Sequence, residues 1–284
     1  MKKIKYKKPL IVGNILLALL LIVVIAVNAV AIYFGVALEL FFGTVGGTST
    51  QSENYTSAYG STAELRAAQE QFAVTVVGEG AVLLKNEQDA LPLAQGASVT
   101  LLGSENWYNT GTGSGSVASG EYGHVTPAYS LEQAGFSVNP SRDSYSGYTD
   151  AAIYIISRVG GEGSDCVLDD PESPRYLQLT DQERGELSAI RSAGFDKVIV
   201  ILNTCNALNM DFVNDPQYGI DACLWAGVTG CNGLEALGGL LSGQINPTGR
   251  LVDTYLYDST QNPAMQNFGN AVYADTDIPY VNLH

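Results

Sequence analysis

The sequence predicts an α/β protein, a three-layer α/β/α sandwich in which helices cover both faces of a mostly parallel sheet. Short and almost wholly apolar runs recur through residues 98–241, as in strands that are buried on both faces. Stretches with helical spacing or helix-capping signals separate these runs. One uncharged apolar segment, long enough to form a transmembrane helix, precedes the whole region.

Five apolar runs are predicted to be strands of this sheet. They span residues 98–102, 136–138, 151–156, 197–202 and 220–225. We take the run at 98–102, which ends at Gly103, as the first strand. Steady alternation with helices indicates parallel pairing, because parallel strands need long crossover connections. No internal repeat emerges, so we predict one sandwich domain over residues 61–258.

Two capping boxes mark helix starts in the predicted domain. They are Ser61-Thr62-Ala63-Glu64 and Thr180-Asp181-Gln182-Glu183, in which the first side chain and the fourth residue satisfy each other's backbone amides. The second box opens a helix that stops at Gly194. Further helices are predicted at residues 126–134 and 230–241.

Residues 10–38 carry no charge, and their only strongly polar side chains are Asn14 and Asn28. About 20 apolar residues suffice to cross a bilayer. A cleavable signal peptide is the alternative, because Ala29-Val30-Ala31 resembles a cleavage site. The apolar run continues past that site, whereas a signal-peptide core spans only about 7 to 15 residues. We therefore predict an uncleaved transmembrane signal anchor.

The residues that flank the anchor predict its orientation. Residues 1–9 form a basic tail that contains Lys2, Lys3, Lys5, Lys7 and Lys8. Positive charge favours the cytoplasmic side, so we expect a single-pass plasma-membrane protein with an extracellular domain. Residues 39–60 are taken as a tether that is rich in Gly, Ser and Thr.

Charge and cysteine usage exclude several functions. After the lysines at the N-terminus, nine basic residues face 29 acidic ones, which argues against nucleic acid and against docking of the domain on anionic lipid. The four cysteines lack CxxC spacing and there are only two histidines, so we expect no metal site and no cofactor. Cys205 and Cys223 are expected to be buried thiols, while a Cys223–Cys231 bridge is left open.

Two glycine-rich stretches follow predicted strands. Residues 157–165 read Ser-Arg-Val-Gly-Gly-Glu-Gly-Ser-Asp, and a carboxylate after a parallel strand is well placed for acid/base chemistry. Taken alone, this stretch is more typical of a polar turn. Residues 111–116 form a Gly/Ser loop without GxGxxG or a Walker lysine, which gives nucleotide binding little support.

Four motifs, in order, resemble the C-terminal sandwich domain of glycoside hydrolase family 3. Residues 81–87 with 91–93 resemble the entry to that domain, and 111–115 its glycine-serine loop. Residues 157–165 resemble its acid-bearing loop, and 241–251 its G-x-x-N-P-x-G-R-L hallmark. Their common order makes the resemblance specific. Within them, Lys85-Asn86 and 246–250 are expected to be structural.

The resemblance implies hydrolysis of a β-linked sugar with retention, as in a β-glucosidase. In that family an Asp nucleophile comes from a separate (β/α)₈ barrel, and a Glu of the sandwich often serves as the general acid/base. Glu162 matches this Glu, and Ser114 matches a serine that can touch the sugar. Arg158 and Asp165 are further candidates for substrate binding. A nearby Asp165 charge would keep Glu162 protonated, but a solvated acid or a turn cap is the more common role.

The sequence departs from the family pattern because it contains no barrel. We interpret it as the permuted family type, in which the sandwich comes first, with residues 259–284 running out toward a missing domain. A natural sandwich-only protein is the alternative. Because a retaining enzyme needs two carboxyls about 5 to 5.5 Å apart, the isolated chain is expected to be inactive. The competing function is a non-catalytic, membrane-anchored module that binds a glycan or a partner.

Overall fold

The computed structural model describes residues 8–35, 57–105, 125–158 and 176–262. The chain divides into two compact units, residues 1–60 and 61–284. The described part of the first unit contains helix α1, Lys8–Tyr33. Its 23-residue apolar portion, Ile11–Tyr33, has no buried residue and is long enough to cross a membrane.

The described part of the second unit contains a six-stranded sheet. Its strands are β1 (Val82–Asn86), β2 (Ser98–Gly103), β3 (Ser137–Val138), β4 (Ala151–Arg158), β5 (Val198–Thr204) and β6 (Ala222–Trp225). The strand order is β1-β6-β5-β4-β2-β3. All neighbours are parallel except β1 and β6. The mostly parallel sheet that the sequence predicts is therefore confirmed.

Two features of the sheet differ from the sequence prediction. The first strand is β1 and not the run at 98–102, which is β2. The edge strand β1 was missed because it is only partly buried and so lacks the continuous apolar run of the central strands. The strands β4 and β5 also extend to Arg158 and Thr204, which pair with each other. Polar residues therefore continue the strands where the apolar runs end.

Four described helices accompany the sheet. They are α2 (Thr62–Gly80), α3 (Pro127–Gln133), α4 (Asp181–Ala193) and α5 (Ala236–Ser242). Three lie where the sequence predicts them. The helix predicted at 230–241 is shorter, because Gly230 has a φ of +62° and Gly233–Glu235 forms a single 3₁₀ turn. Glycine-rich sequence favours such a late helix start.

The central strands separate two apolar cores. In β4, Ile153 and Ile155 face a core that they share with α5, whereas Tyr154 and Ile156 face a second core that they share with α4. Alternation with a period of two along each strand produces these two faces. All four side chains are essentially inaccessible to solvent. The three-layer α/β/α fold is therefore confirmed.

The described parts of the recognised motifs make structural contacts. The Asn86 side chain accepts from the Leu91 amide and donates to the Leu91 carbonyl, both at 2.9 Å. Lys85 Nζ donates to a backbone carbonyl 3.0 Å away. In the hallmark motif, the Gly249 amide donates to the carbonyl of Ala81 at 3.0 Å. These residues close turns and join segments, as expected.

The cysteines depart in part from the expectation. Cys223 is fully buried as predicted, and burial raises the pKa of its thiol to about 12. Cys205 is exposed, which corrects the prediction of a buried thiol. It follows the last residue of β5, where the chain leaves the core. Cys223 is a free thiol, so it forms no bridge with Cys231.

Candidate functional site at the carboxyl edge of the sheet

The two strands that precede the glycine-rich stretches in the chain end at the same edge of the sheet. Because β2 and β4 are parallel neighbours, with Gly103 opposite Ile155, their carboxyl ends lie side by side. Residues 106–124 follow the end of β2, and residues 159–175 follow the end of β4. This edge is where open parallel sheets bind ligands. Of the predicted site residues, Glu162, Ser114 and Asp165 lie outside the described residues.

Arg158, the last residue of β4, is described and buried. Its guanidinium donates to both oxygens of Glu183, at 2.7 and 2.6 Å. It also donates to the carbonyls of Tyr176 at 3.1 Å, Gln178 at 3.0 Å and Ser157 at 3.1 Å. A guanidinium has five N–H groups, and these five bonds use all of them. All five donors of Arg158 are therefore used within the chain, and its contact with substrate stays a prediction that these bonds do not favour.

Glu183 is held by the start of α4 as well as by Arg158. The Thr180 amide donates to its carboxylate at 2.8 Å, and the Glu183 amide donates to the Thr180 hydroxyl at 3.2 Å. This is the capping box that the sequence predicts. Burial alone would raise the pKa of the Glu183 carboxyl. The hydrogen bonds and the charge of Arg158, together with the hydrogen bonds of Thr180, instead hold this pKa below its ordinary value. Glu183 therefore stays ionised and is unsuited to donate a proton near neutral pH.

The base of residues 106–124 is built differently. Gly103 ends β2 with a φ of +84°, and the next amide, of Ser104, donates to the Ile155 carbonyl at 2.8 Å. The Arg142 side chain donates to the Gly103 carbonyl and pairs with Glu105, both at 3.2 Å. The side chains of Arg142 and Glu105 are exposed. We therefore take the backbone conformation at Gly103 as the main constraint on the direction of the chain at the end of β2.

Polar and aromatic residues that no sequence motif singled out surround the end of β5. The fully buried Asn203 donates to Ser157 Oγ at 3.4 Å. The Trp225 indole donates to the Thr204 carbonyl at 3.0 Å. Burial raises the pKa of the half-buried Tyr255 hydroxyl. The sequence signal was the polar pair Asn203-Thr204 directly after an apolar run, because a buried polar pair needs local partners.

Among the described residues, no group of three or more His, Cys, Asp or Glu side chains could hold a metal ion. The part of the edge that the structure describes thus contains a buried ion pair, backbone groups and aromatic rings. The ion pair is satisfied internally.

Comparison with protein families identifies this architecture. The model of the glycosyl hydrolase family 3 C-terminal domain matches residues 81–280. The chain belongs to glycosyl hydrolase family 3. The match covers more than half of the chain and includes all six described strands of the family 3 domain, together with the edge at which the strands that precede the two glycine-rich stretches end.

Characterised relatives of this family 3 domain are glycosidases. The chain is 29% identical over 245 residues to a β-glucosidase of Ruminococcus albus, covering 72% of this chain and 24% of the relative. It is 24% identical over 196 residues to an exo-1,4-β-xylosidase of Aspergillus niger, covering 62% of this chain and 24% of the relative. The chain spans about a quarter of the length of these relatives.

Solved structures show the same fold. A β-glucosidase from Paenibacillus barengoltzii aligns with a TM-score of 0.59 and 27% identity, over 70% of this chain and 25% of that chain. β-Glucosidase 3B from Thermotoga neapolitana, solved with glycerol, aligns with a TM-score of 0.57 and 22% identity, over 71% and 32% of the two chains. At that identity the second similarity establishes the fold alone.

Proposed function

We propose that this chain supplies the sandwich part of a retaining β-glycosidase, with Glu162 as the general acid/base. The observation that carries the proposal is the position of the Gly-Gly-Glu-Gly sequence in the chain, where it begins two residues after the end of β4 of a family 3 C-terminal domain. The names of the relatives, which are β-glucosidases and β-xylosidases, support a β-linked glycoside as the substrate.

The proposed reaction needs two carboxyls with different protonation states. An Asp from a (β/α)₈ barrel attacks the anomeric carbon while Glu162 gives its proton to the leaving oxygen. Glu162 then takes a proton from water as that water releases the sugar from the Asp ester. Glu162 has to be protonated at rest, so partial burial or a nearby negative charge has to raise its pKa. We assign a hydrogen bond to a sugar hydroxyl to Ser114 and a further contact with the sugar to Asp165.

The anchor completes the proposal. We assign α1 to a single membrane crossing, with the five N-terminal lysines in the cytoplasm and the sandwich outside the plasma membrane. An uncharged apolar helix of this length supports the crossing. Its position close to the N-terminus is shared by signal sequences, so N-terminal sequencing of the mature protein tests the assignment. An intact N-terminus is expected, and cleavage after Ala31 would contradict it.

The catalytic role is tested in the protein that joins this chain to its barrel. We expect Glu162→Gln to slow the hydrolysis of an unactivated disaccharide by at least about 100-fold, because general acid catalysis contributes a factor of about 10² to 10⁴ to the rate. For an aryl glycoside with a good leaving group, the rate of the first step should fall far less. Azide should rescue Glu162→Ala, since that anion needs no general base. Glu172→Gln removes a charge from the same segment and is the matched control.

Two results would overturn the proposal. One is an equal loss on both substrates for Glu162→Gln, and the other is the absence of any barrel that acts with this chain. In the second case the non-catalytic alternative applies, namely a membrane-anchored module that binds a glycan or a partner. Specific glycan binding by residues 61–284 alone would then be expected on a glycan array.

A further inference from the structure

We infer that Arg158 and Glu183 form a clamp that positions the acid/base residue Glu162, an inference that rests on the function proposed above. The clamp comprises the Arg158 guanidinium, the Glu183 carboxylate and the carbonyls of Tyr176 and Gln178. It joins the two ends of residues 159–175, the segment that carries Glu162.

The topology of the contacts supports this role. Arg158 is the last residue before the segment, and Tyr176 is the first described residue after it. One guanidinium bonds to the carbonyls of Tyr176 and Gln178, so the entry and the exit of the segment lie within one side-chain length. Pinning both ends reduces the number of conformations that the intervening chain can adopt. It also fixes the direction in which the chain leaves β4.

The clamp is rigid on each side. Arg158 continues the ladder between β4 and β5 through its pairing with Thr204. Glu183 belongs to the first turn of α4, where the Thr180 amide also binds its carboxylate. The exposed fractions of the two charged side chains are 10% and 15%. A two-pronged arginine–carboxylate bond in such a setting specifies orientation as well as distance.

The contacts favour positioning over two simpler roles. Substrate binding by the Arg158 guanidinium is not favoured, because all five N–H groups are already used. Stability alone is a weak reason for such a pair, because apolar residues of similar volume often replace a buried ion pair without loss. What the pair adds is one fixed arrangement of the chain ends that it joins. Catalysis is sensitive to it, since a misplacement of about 1 Å can cost about 100-fold in rate.

The test compares leaving groups in the protein that joins this chain to its barrel. Arg158→Lys keeps the charge but loses the planar fork. We expect kcat for an unactivated disaccharide to fall by about 10- to 100-fold, with kcat for an activated aryl glycoside reduced less than about 3-fold. A loss of folded protein would instead lower both rates by the same factor. Arg184→Lys, one residue along α4 from Glu183 and outside the clamp, should change neither rate.

The outcomes separate this inference from the proposed function. If Glu162→Gln shows leaving-group selectivity and Arg158→Lys lowers both rates equally, the clamp inference is wrong and the proposed function stands. If Glu162→Gln itself shows no selectivity, the proposed function fails. Should Arg158→Lys not fold, Glu183→Gln replaces it, because this change keeps the side-chain shape while it removes the charge.

A second measurement needs no activity. Hydrogen exchange of the 284-residue chain should show faster exchange at the amides of residues 176–180 in Glu183→Gln than in the wild type. Amides in the centre of β5 should be unaffected and serve as the internal reference. Unchanged exchange at 176–180 would overturn the clamp whatever the kinetic result.

Discussion

The two segments that carry the proposed site residues start from the same edge of the sheet, but their bases are held by different means. The base of 159–175 is closed by the Arg158–Glu183 pair, whose side chains are 10% and 15% exposed. The base of 106–124 is flanked by the Arg142–Glu105 pair, whose side chains are 41% and 76% exposed. The first pair is bidentate and the second is a single contact.

The difference shows which kind of constraint each segment depends on. An exposed ion pair is typically worth about 0 to 1 kcal/mol, so Arg142 and Glu105 can hold little. That segment instead depends on the backbone, where Gly103 takes a conformation that suits glycine. The base of the segment with the proposed acid contains an ion pair that is shielded from water. Four substitutions or pairs of substitutions test this contrast, beginning with the largest expected effect.

Removal of the buried cation should have the largest effect. Arg158→Met leaves the Glu183 carboxylate without its partner, so we expect the free energy of unfolding to fall by about 3 to 5 kcal/mol. Arg142→Met is the matched control, with an expected change below about 1 kcal/mol. Urea denaturation of residues 61–284 measures both. Equal losses for the two variants would abolish the contrast between the segment bases.

A methyl group at the base of the other segment should have the next largest effect. A Cβ on Gly103 would lie 2.3 Å from the Ile155 carbonyl oxygen, and the residue has a positive φ. We expect Gly103→Ala to lower the free energy of unfolding by about 2 to 3 kcal/mol, from the clash and the strain together. Gly135→Ala shares the positive φ but has open space around it, so about 1 kcal/mol is expected there. A smaller loss at Gly103 than at Gly135 would contradict a backbone-held base.

The threonine caps that follow the two segments should give a smaller contrast. Thr180 caps α4 within a complete capping box, whereas Thr126 caps α3 through one bond to the Tyr129 amide. Thr→Ala at a helix cap costs about 1 kcal/mol. We expect Thr180→Ala to exceed Thr126→Ala, because it also removes a support of Glu183. The same denaturation series measures the order, and the reverse order would argue that the box adds nothing.

The smallest effect is a pH dependence in the acidic range. The pKa of the Glu183 carboxyl is held below its ordinary value of 4.5, so its contribution to stability is complete above that pH. This contribution is lost as the pH falls through the lower pKa of the folded state, because the unfolded chain binds the proton first. We expect the Glu183→Gln variant to lack this part of the stability loss that acid causes. A wild-type-like pH profile for the variant, measured by thermal unfolding, would show that the carboxylate is not stabilised by Arg158.

Patterns that depend on neighbouring residues were readable from the sequence. The apolar runs predicted β2 to β6 within about two residues. The central strands β4 and β5 gave the clearest runs, because a strand buried on both faces has to be apolar throughout. The capping box at Thr180 was predicted in full, since its bonds join residues three apart. The ordered motifs also indicated the family to which the chain belongs, because each motif is a short run of adjacent residues.

Features that depend on distant residues were not readable in the same way. The edge strand β1 was missed because it is only partly buried and lacks a continuous apolar run, and only its pairing with the distant β6 shows it as part of the sheet. Arg158 was expected to touch substrate because nothing in its local sequence shows that Tyr176, Gln178 and Glu183 use four of its five donors. Residues Glu162, Ser114 and Asp165 remain predictions from the motif.

The sequence by itself determined the fold class, the apolar N-terminal helix and the family, because each is written in local composition, periodicity or motif order. Only the tertiary structure decided how the edge of the sheet is held. A buried charge needs partners that surround it in space. Apart from the neighbouring Ser157, those of Arg158 lie in residues 176–183, which folding brings to the end of β4. The motif predicted that Arg158 contacts substrate, whereas only the structure shows that it bonds to Tyr176, Gln178 and Glu183 at the far end of its own segment.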